Sequence, residues 1–234
     1  MQLTTFGFRE PLNCRYFVEF IKEDDVVLEI GANIGYFAIL GGTAKRIICI
    51  EPLTHAIPTL KKNLLNNGLM NKCEILNIAV GPDGVLLLEQ NDSLNLSRIV
   101  NNKSEKTVEI QSVSLPNLNS LYNANFLRMD VEGYEYEILL NKLPKSITKM
   151  SIELHTSILG IDKTKELLSY LASEGFKIKY LIEDIPLRLY PLFHVLRRWY
   201  PINIYSYVME NCDILDSYEY IFSGRGIKYL YLYR

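Results

Sequence analysis

Cysteine is scarce and scattered in this chain of 234 residues. Cys14, Cys49, Cys73 and Cys212 are scattered, form no C-x-x-C pair and read as buried, reduced thiols of an intracellular protein. Cys49 lies in an apolar run and reads as a buried, reduced thiol. Histidine is rarer still, so imidazole chemistry is confined to His55, His155 and His194. No apolar run approaches about 18 residues, which excludes a transmembrane helix. The first residues lack the basic-then-apolar order of a secretion signal, so the expected location is cytoplasmic. A formal net charge of −2 leaves no global excess of basic groups for a polyanion, and no nucleic-acid partner is expected.

What is present is ordinary for a globular domain. Hydrophobic residues make up 48% and charged residues 22%, enough apolar surface to bury one sizeable core. Residues 1–24 read as a lead-in, with helical spacing from Pro11 to Lys22. Buried-strand patterns follow at Val26–Ile30, Arg46–Ile50, Cys73–Val80, Asn125–Met129, Thr148–Leu154, Phe176–Ile182 and Ile227–Tyr233. Helix-length segments separate most of them, among them Tyr134 to Leu143 after the turn at Gly133. Thr54 and Asp162 are the expected caps of two of these helices, and Gly68 and Gly175 fall just past their ends. Val85–Glu89 and Thr107–Val113 read as edge strands, and the polar stretch Asn91–Lys106 between them as a mobile loop. The alternation predicts one α/β domain over 1–234, a mostly parallel sheet with helices on both faces. Residues 185–226 break the alternation and read as an insertion. They are rich in Pro, Arg and aromatic residues, with no acid between Pro186 and Met209.

The stretch with most chemical content is Val26-Val27-Leu28-Glu29-Ile30-Gly31-Ala32-Asn33-Ile34-Gly35. A strand that ends in a glycine-bracketed turn at a helix start offers free backbone N–H groups at the ligand-binding edge of an open α/β sheet. Asn33 stands where a dinucleotide turn needs its second glycine for the pyrophosphate, and Glu29 before the turn would repel that group. A carboxylate there suits a cationic ligand, and S-adenosylmethionine carries both a sulfonium and an ammonium. Gly31 and Gly35 permit close backbone approach. Glu51, ending the second strand before Pro52, can accept hydrogen bonds from both hydroxyls of a ribose. The end of the third strand, Asn77 to Val80 and so including Ala79, is placed to flank an adenine.

These residues carry a resemblance. Val27 to Tyr36, Ile50-Glu51-Pro52, Asn77 to Gly81 and Met129-Asp130-Val131-Glu132-Gly133-Tyr134-Glu135 resemble, in order, the motifs of FkbM-type S-adenosylmethionine-dependent methyltransferases. The resemblance covers residues 26–154, with the Asp-Val-Glu-Gly block its most specific part. It implies a Rossmann-like class I methyltransferase fold with seven strands, the last antiparallel. It also implies methyl transfer to an oxygen of a small molecule or sugar. Glu29 stands where the family often has Asp, and Ser114-Leu115-Pro116 replaces a common Thr-Leu-Asp. The insertion has no counterpart there.

Methyl transfer is an in-line displacement, so the protein must align acceptor and methyl group, exclude water and remove the acceptor proton. Asp130 is expected near the cofactor and Glu132 facing the acceptor, with His155 a candidate base at the end of the fifth strand. Each has a structural alternative: a helix-start acid for Glu132, a hydrogen-bonded strand end for His155. Asp130, Glu132, Glu153 and His155 could also form an O/N metal set, but sequence spacing does not converge them and no metal is assigned. The insertion 185–226 can serve as a lid, a homodimer surface, a peripheral membrane patch or a plain cover. A nucleoside- or NAD-binding oxidoreductase and a non-catalytic interaction protein of the same fold are the competing readings. An RNA methyltransferase is disfavoured, because no Asn-Pro-Pro-Tyr-like run for amine acceptors occurs.

Overall fold

The computed structural model describes residues 10–89, 98–100, 102–140, 142–183, 207–223 and 227–234. Helix α1 (Pro11–Phe20) leads into β1 (Val26–Ile30), α2 (Tyr36–Leu40), β2 (Arg46–Ile50), α3 (Ile57–Asn66) and β3 (Cys73–Leu76). After an excursion (β4–β7 and α4, below) come β8 (Phe126–Met129), α5 (Glu135–Leu139) and β9 (Lys149–His155). Helices α6 (Thr156–Leu159) and α7 (Ile161–Ser173), strands β10 (Lys177–Glu183) and β11 (Tyr207–Cys212), helix α8 (Tyr218–Phe222) and β12 (Ile227–Tyr233) complete the chain.

The main sheet has the order β11-β10-β12-β9-β8-β1-β2-β3. Strands β3, β2, β1, β8 and β9 pair in parallel, and β12 is antiparallel to both β9 and β10. The chain moves outward from β1 to β3, then crosses back to β8 on the other side of β1. That reversal opens a crevice at the C-terminal ends of β1 and β8, the place where open α/β sheets take ligands.

Both faces of the sheet are covered, which explains the unbroken apolar runs. Alternation sends Leu28, Ile30, Ile48, Ile50, Leu127 and Met129 into one core with α4, α5 and α7, and Val27, Ile47, Cys49 and Phe126 into a second core under α1–α3. In the second core Phe17, Phe37, Phe20 and Phe126 meet largely edge-on.

A smaller sheet, β4-β7-β5-β6, stands beside the crevice. It joins β4 (Ala79–Val80), β5 (Gly84–Glu89), β6 (Arg98–Val100) and β7 (Thr107–Val113), and α4 (Leu115–Tyr122) leads back to β8. Leu88 packs with Leu53 and Ala56, fastening this sheet to the loop after β2.

Several expectations need correction. The main sheet has eight strands rather than seven, because Tyr207–Cys212, expected in the insertion, pairs antiparallel with β10 at the edge. The remainder of 185–226 lies outside the described residues except for Asp213–Ser223, which carry α8. The third strand is split: Asn77 leaves the ladder to donate from Nδ2 to the backbone oxygens of Glu51 and Pro52, and Ala79–Val80 joins the smaller sheet. Within the polar stretch expected as a loop, Arg98–Val100 forms a strand against Leu87–Glu89. Neither expected cap is used. Thr54 donates instead to Asn77 Oδ1 at 2.9 Å, and Asp162 lies inside the first turn of α7, after Gly160. The helix expected from Tyr134 to Leu143 ends at Leu139.

Candidate active site

The turn after β1 is built by backbone geometry. Gly31, Asn33 and Gly35 all have left-handed φ values, 81°, 50° and 85°. Asparagine tolerates that conformation better than most residues, which is why it can replace a glycine here. The N–H groups of Gly31 and Ala32 both donate to the Ile50 carbonyl at 3.0 Å, tying the turn to the end of β2. Glu51 completes the tie: its carboxylate accepts the Asn33 N–H at 2.7 Å and the Leu53 N–H at 2.8 Å. Burial raises the Glu51 pKa, and those two hydrogen bonds work against the rise.

A cleft of about 770 Å³, its open mouth included, lies over this turn. Gly31, Asn33, Glu51, Pro52, Ala79, Val80 and Asp130 line it, as does Glu132. The smaller sheet adds Leu88 and Ile99, and α5 adds Ile138. A second, shallower opening beside it is bounded by Val100, Asn102, Ser104, Glu132, Tyr134 and Ile158. The cleft thus continues past Glu132 toward solvent.

Glu29, Gly35 and Tyr36 do not line the cleft. Glu29 is 3% exposed on the α1–α3 side of β1, and burial pushes its pKa up to about 8 despite the nearby Arg128. It backs the turn by accepting a hydrogen bond from the Ala38 backbone. Gly35 is pressed against Leu60, where a Cβ would lie 2.6 Å from Cδ1. The Tyr36 hydroxyl lies 3.1 Å from Cys14 Sγ on α1. Glu29 also belongs to a buried cross-strand row: Cys49, Glu29, Arg128, Ser151 and Tyr231 are direct partners on neighbouring strands.

The acid end of the site forms where β8 and β9 finish. Asp130 follows β8, and its N–H donates to Ile30 at 3.0 Å. The chain then turns through Glu132 (φ 50°) and Gly133 (φ 97°), which brings the Glu132 carboxylate over His155 at the end of β9. Glu132 Oε2 lies 3.4 Å from His155 Nε2. On the other side of the ring, Nδ1 lies 2.6 Å from Oε1 of Glu135, which is wholly buried. Burial pulls the His155 pKa down, but the Glu135 hydrogen bond and the charges of Glu135, Asp130 and Glu132 outweigh it. The net result lies above the ordinary histidine value. Arg128 reaches Asp130 at 3.7 Å and Glu153 at 3.9 Å while its guanidinium stacks 4.1 Å from the Phe37 ring centroid. Burial first, and then Asp130, drive the Glu153 pKa well above the usual carboxylate range.

Asp130, Glu132 and His155 are therefore brought together, with Glu153 behind them at 3.8 Å from His155 Nε2. His55 does not join them, and His194 lies outside the described residues. The residues that sequence reading did not assign are Glu135 and Arg128. A charged residue inside the otherwise apolar run Phe126–Met129 was the available signal for Arg128. For Glu135 the only signal was its place in the Asp-Val-Glu-Gly-Tyr-Glu block.

A parallel sheet with an antiparallel β12 inserted beside β9, and a glycine turn facing an acidic loop across the switch point, defines the class I methyltransferase fold. Precorrin-6y C5,15-methyltransferase from Geobacter metallireducens GS-15 shares it, at a TM-score of 0.50 and 10% identity over 97% of this chain and 88% of that one. Residues 29–178 match the family model described as the methyltransferase FkbM domain, and the chain belongs to that family. The hexuronic acid methyltransferase AglP of Haloferax volcanii is 25% identical over 165 residues, 64% of each chain, so this chain spans about two thirds of that relative's length. Methyltransferase FkbM from Methylobacillus flagellatus KT is 19% identical over 64% of this chain and 38% of that one, with a TM-score of 0.42. Among the described residues no helix is long and apolar enough to cross a membrane.

Proposed function

We propose that the chain is an S-adenosylmethionine-dependent methyltransferase that methylates a hydroxyl of a sugar or other small molecule. The observation that carries this is one cleft lined by Glu51, by the Gly31–Asn33 turn and by Asp130 and Glu132. The Glu51 end fits a nucleoside: each carboxylate oxygen keeps a lone pair beyond its backbone hydrogen bond, and Pro52, Leu53, Ile78 and Ala79 supply apolar walls for a base. The Asn33–Gly31 turn would hold the rest of the cofactor, with Glu29, Gly35 and Tyr36 supporting that turn from behind.

When bound, S-adenosylmethionine supplies a methyl group already activated for displacement. Asp130, beside Gly31, would lie near the cofactor. Glu132, where the cleft opens to solvent, would face the acceptor. His155, fixed by Glu135, is the candidate base for the hydroxyl proton. The name of the Haloferax relative supports a sugar acid as the acceptor class. Leu88 and Ile99 of the smaller sheet and Ile138 give the cleft apolar walls that would limit water beside the reacting atoms.

Calorimetry with S-adenosylhomocysteine should show saturable binding to the folded chain, and labelled methyl should pass from S-adenosylmethionine to uronic-acid glycosides. A folded chain that binds NAD but not S-adenosylhomocysteine would overturn the reading.

A further inference from the structure

We infer that Asp130, Glu132 and His155 form a binding site for one divalent cation of the manganese–magnesium class. Each residue offers one ligand atom, and these atoms lie within 4.8 Å of one another. An octahedral site with bonds of roughly 2.1 Å places its ligands roughly 3 Å apart in cis and 4 Å apart in trans. Glu132 Oε2 already stands 3.4 Å from His155 Nε2, and its side chain, 35% exposed, has room to adjust.

The imidazole points to a ligand independently of the acids. His155 is 2% exposed, and among the described residues its Nε2 has no hydrogen-bond partner. Oδ1 of Asp130 is buried and unpartnered in the same way. On the far side of the ring, Nδ1 is held at 2.6 Å by the wholly buried Glu135. A carboxylate that fixes one imidazole nitrogen so that the other faces an open position is the usual support of a metal-bound histidine. Charge agrees. Asp130, Glu132 and Glu135 bring three carboxylates to the cluster, Glu153 adds a further carboxyl group 3.8 Å from His155 Nε2, and among the described residues Arg128 stands 3.7 Å from Asp130. Two oxygens and one nitrogen suit manganese or magnesium better than a soft-ligand metal.

The inference rests on the methyltransferase reading only for its consequence. At the mouth of that cleft a cation would orient the acceptor oxygen and make its proton easier to lose, with His155 as ligand rather than base. The cation site itself is tested without cofactor or acceptor. Mn²⁺ is titrated into the full chain and the free ion is followed by electron paramagnetic resonance. One ion per chain should bind, with affinity reduced at least tenfold in Glu132→Gln and His155→Ala and about 10–100-fold in Glu135→Gln. Glu132 is partly exposed, so Glu132→Gln tests the site even where the variants of the buried pair fail to fold. Absence of stoichiometric binding by the folded wild-type chain at millimolar Mn²⁺ would overturn the inference, as would equal affinity in folded Glu132→Gln. Mn²⁺ uptake by a chain that ignores S-adenosylhomocysteine would support the cation site and sink the methyl-transfer reading.

Discussion

The α-carbon of Gly31 faces the carbonyl of Asp130 so closely that a Cβ on Gly31 would lie 1.9 Å from that oxygen. The glycine turn after β1 and the acidic loop after β8 are thus in backbone contact, and both line the same cleft. Alanine at 31 would have to move the Asp130 backbone and adopt φ near +81°. Gly31→Ala should cost more than about 2 kcal/mol in urea unfolding and weaken S-adenosylhomocysteine binding together. Gly68→Ala is the control: φ is +69°, but nothing lies within 4 Å of the added carbon, so only about 1 kcal/mol should be lost and binding kept.

Glu51 holds the turn through both carboxylate oxygens and is also a lining residue of the cleft. Glu51→Gln is nearly isosteric but sets an amide donor against one of the two backbone N–H groups. Affinity for S-adenosylhomocysteine should fall at least tenfold in Glu51→Gln and further in Glu51→Ala, by calorimetry. Unchanged affinity in a folded Glu51→Ala chain would remove Glu51 from the cofactor site.

Glu29 makes stability depend on pH. Its pKa is about 8 in the folded chain against an ordinary 4.5, so between those values the folded state holds a proton that the unfolded state has lost. Stability from this group is present below about pH 4.5 and falls as pH rises toward 8. In Glu29→Gln that loss is absent, and the stability difference between variant and wild type should shift by a few kcal/mol in favour of the variant from pH 5 to pH 8. Parallel urea titrations at the two pH values measure it.

Arg128 is 3% exposed and balances Asp130 and Glu153. Its removal in Arg128→Met strands those carboxylates, and unfolding free energy should drop by about 3–5 kcal/mol near neutral pH. Adding Glu153→Leu should restore part of the loss, because the second variant deletes one of the uncompensated groups. Equal effects of Glu153→Leu on the stability of the wild-type and Arg128→Met chains would show that the pair is not coupled.

Much of this molecule was legible along the chain. The strand at Val26–Ile30, the tight turn at Gly31 and the strand at Ile227–Tyr233 follow from apolar runs and left-handed glycine positions. Asn33 was readable as a departure from a dinucleotide turn, and Glu51 as a strand-end acid. The smaller sheet was harder to read. Ala79–Val80 looks continuous with Cys73–Leu76 in hydropathy, and only the pull of Asn77 toward Glu51 and Pro52 separates the two. Arg98–Val100 is too short to announce itself and is a strand because Leu87–Glu89 offers it partners. Glu29 was expected to face the ligand. Side chains along a strand alternate between faces, and its parity sends it into the α1–α3 core beside Cys49 instead.

The sequence by itself determined the alternation of strands and helices, the glycine turn and the acids Glu51 and Asp130 that follow β2 and β8, since these depend on backbone preference and periodicity over a few residues. Only the tertiary structure decided that Asp130, Glu132 and His155 meet, and that Glu135 holds the far side of the imidazole. That meeting depends on β8 and β9 lying side by side in parallel register and on the left-handed turn at Glu132 folding back between them. Spacing along the chain carries no record of either distance.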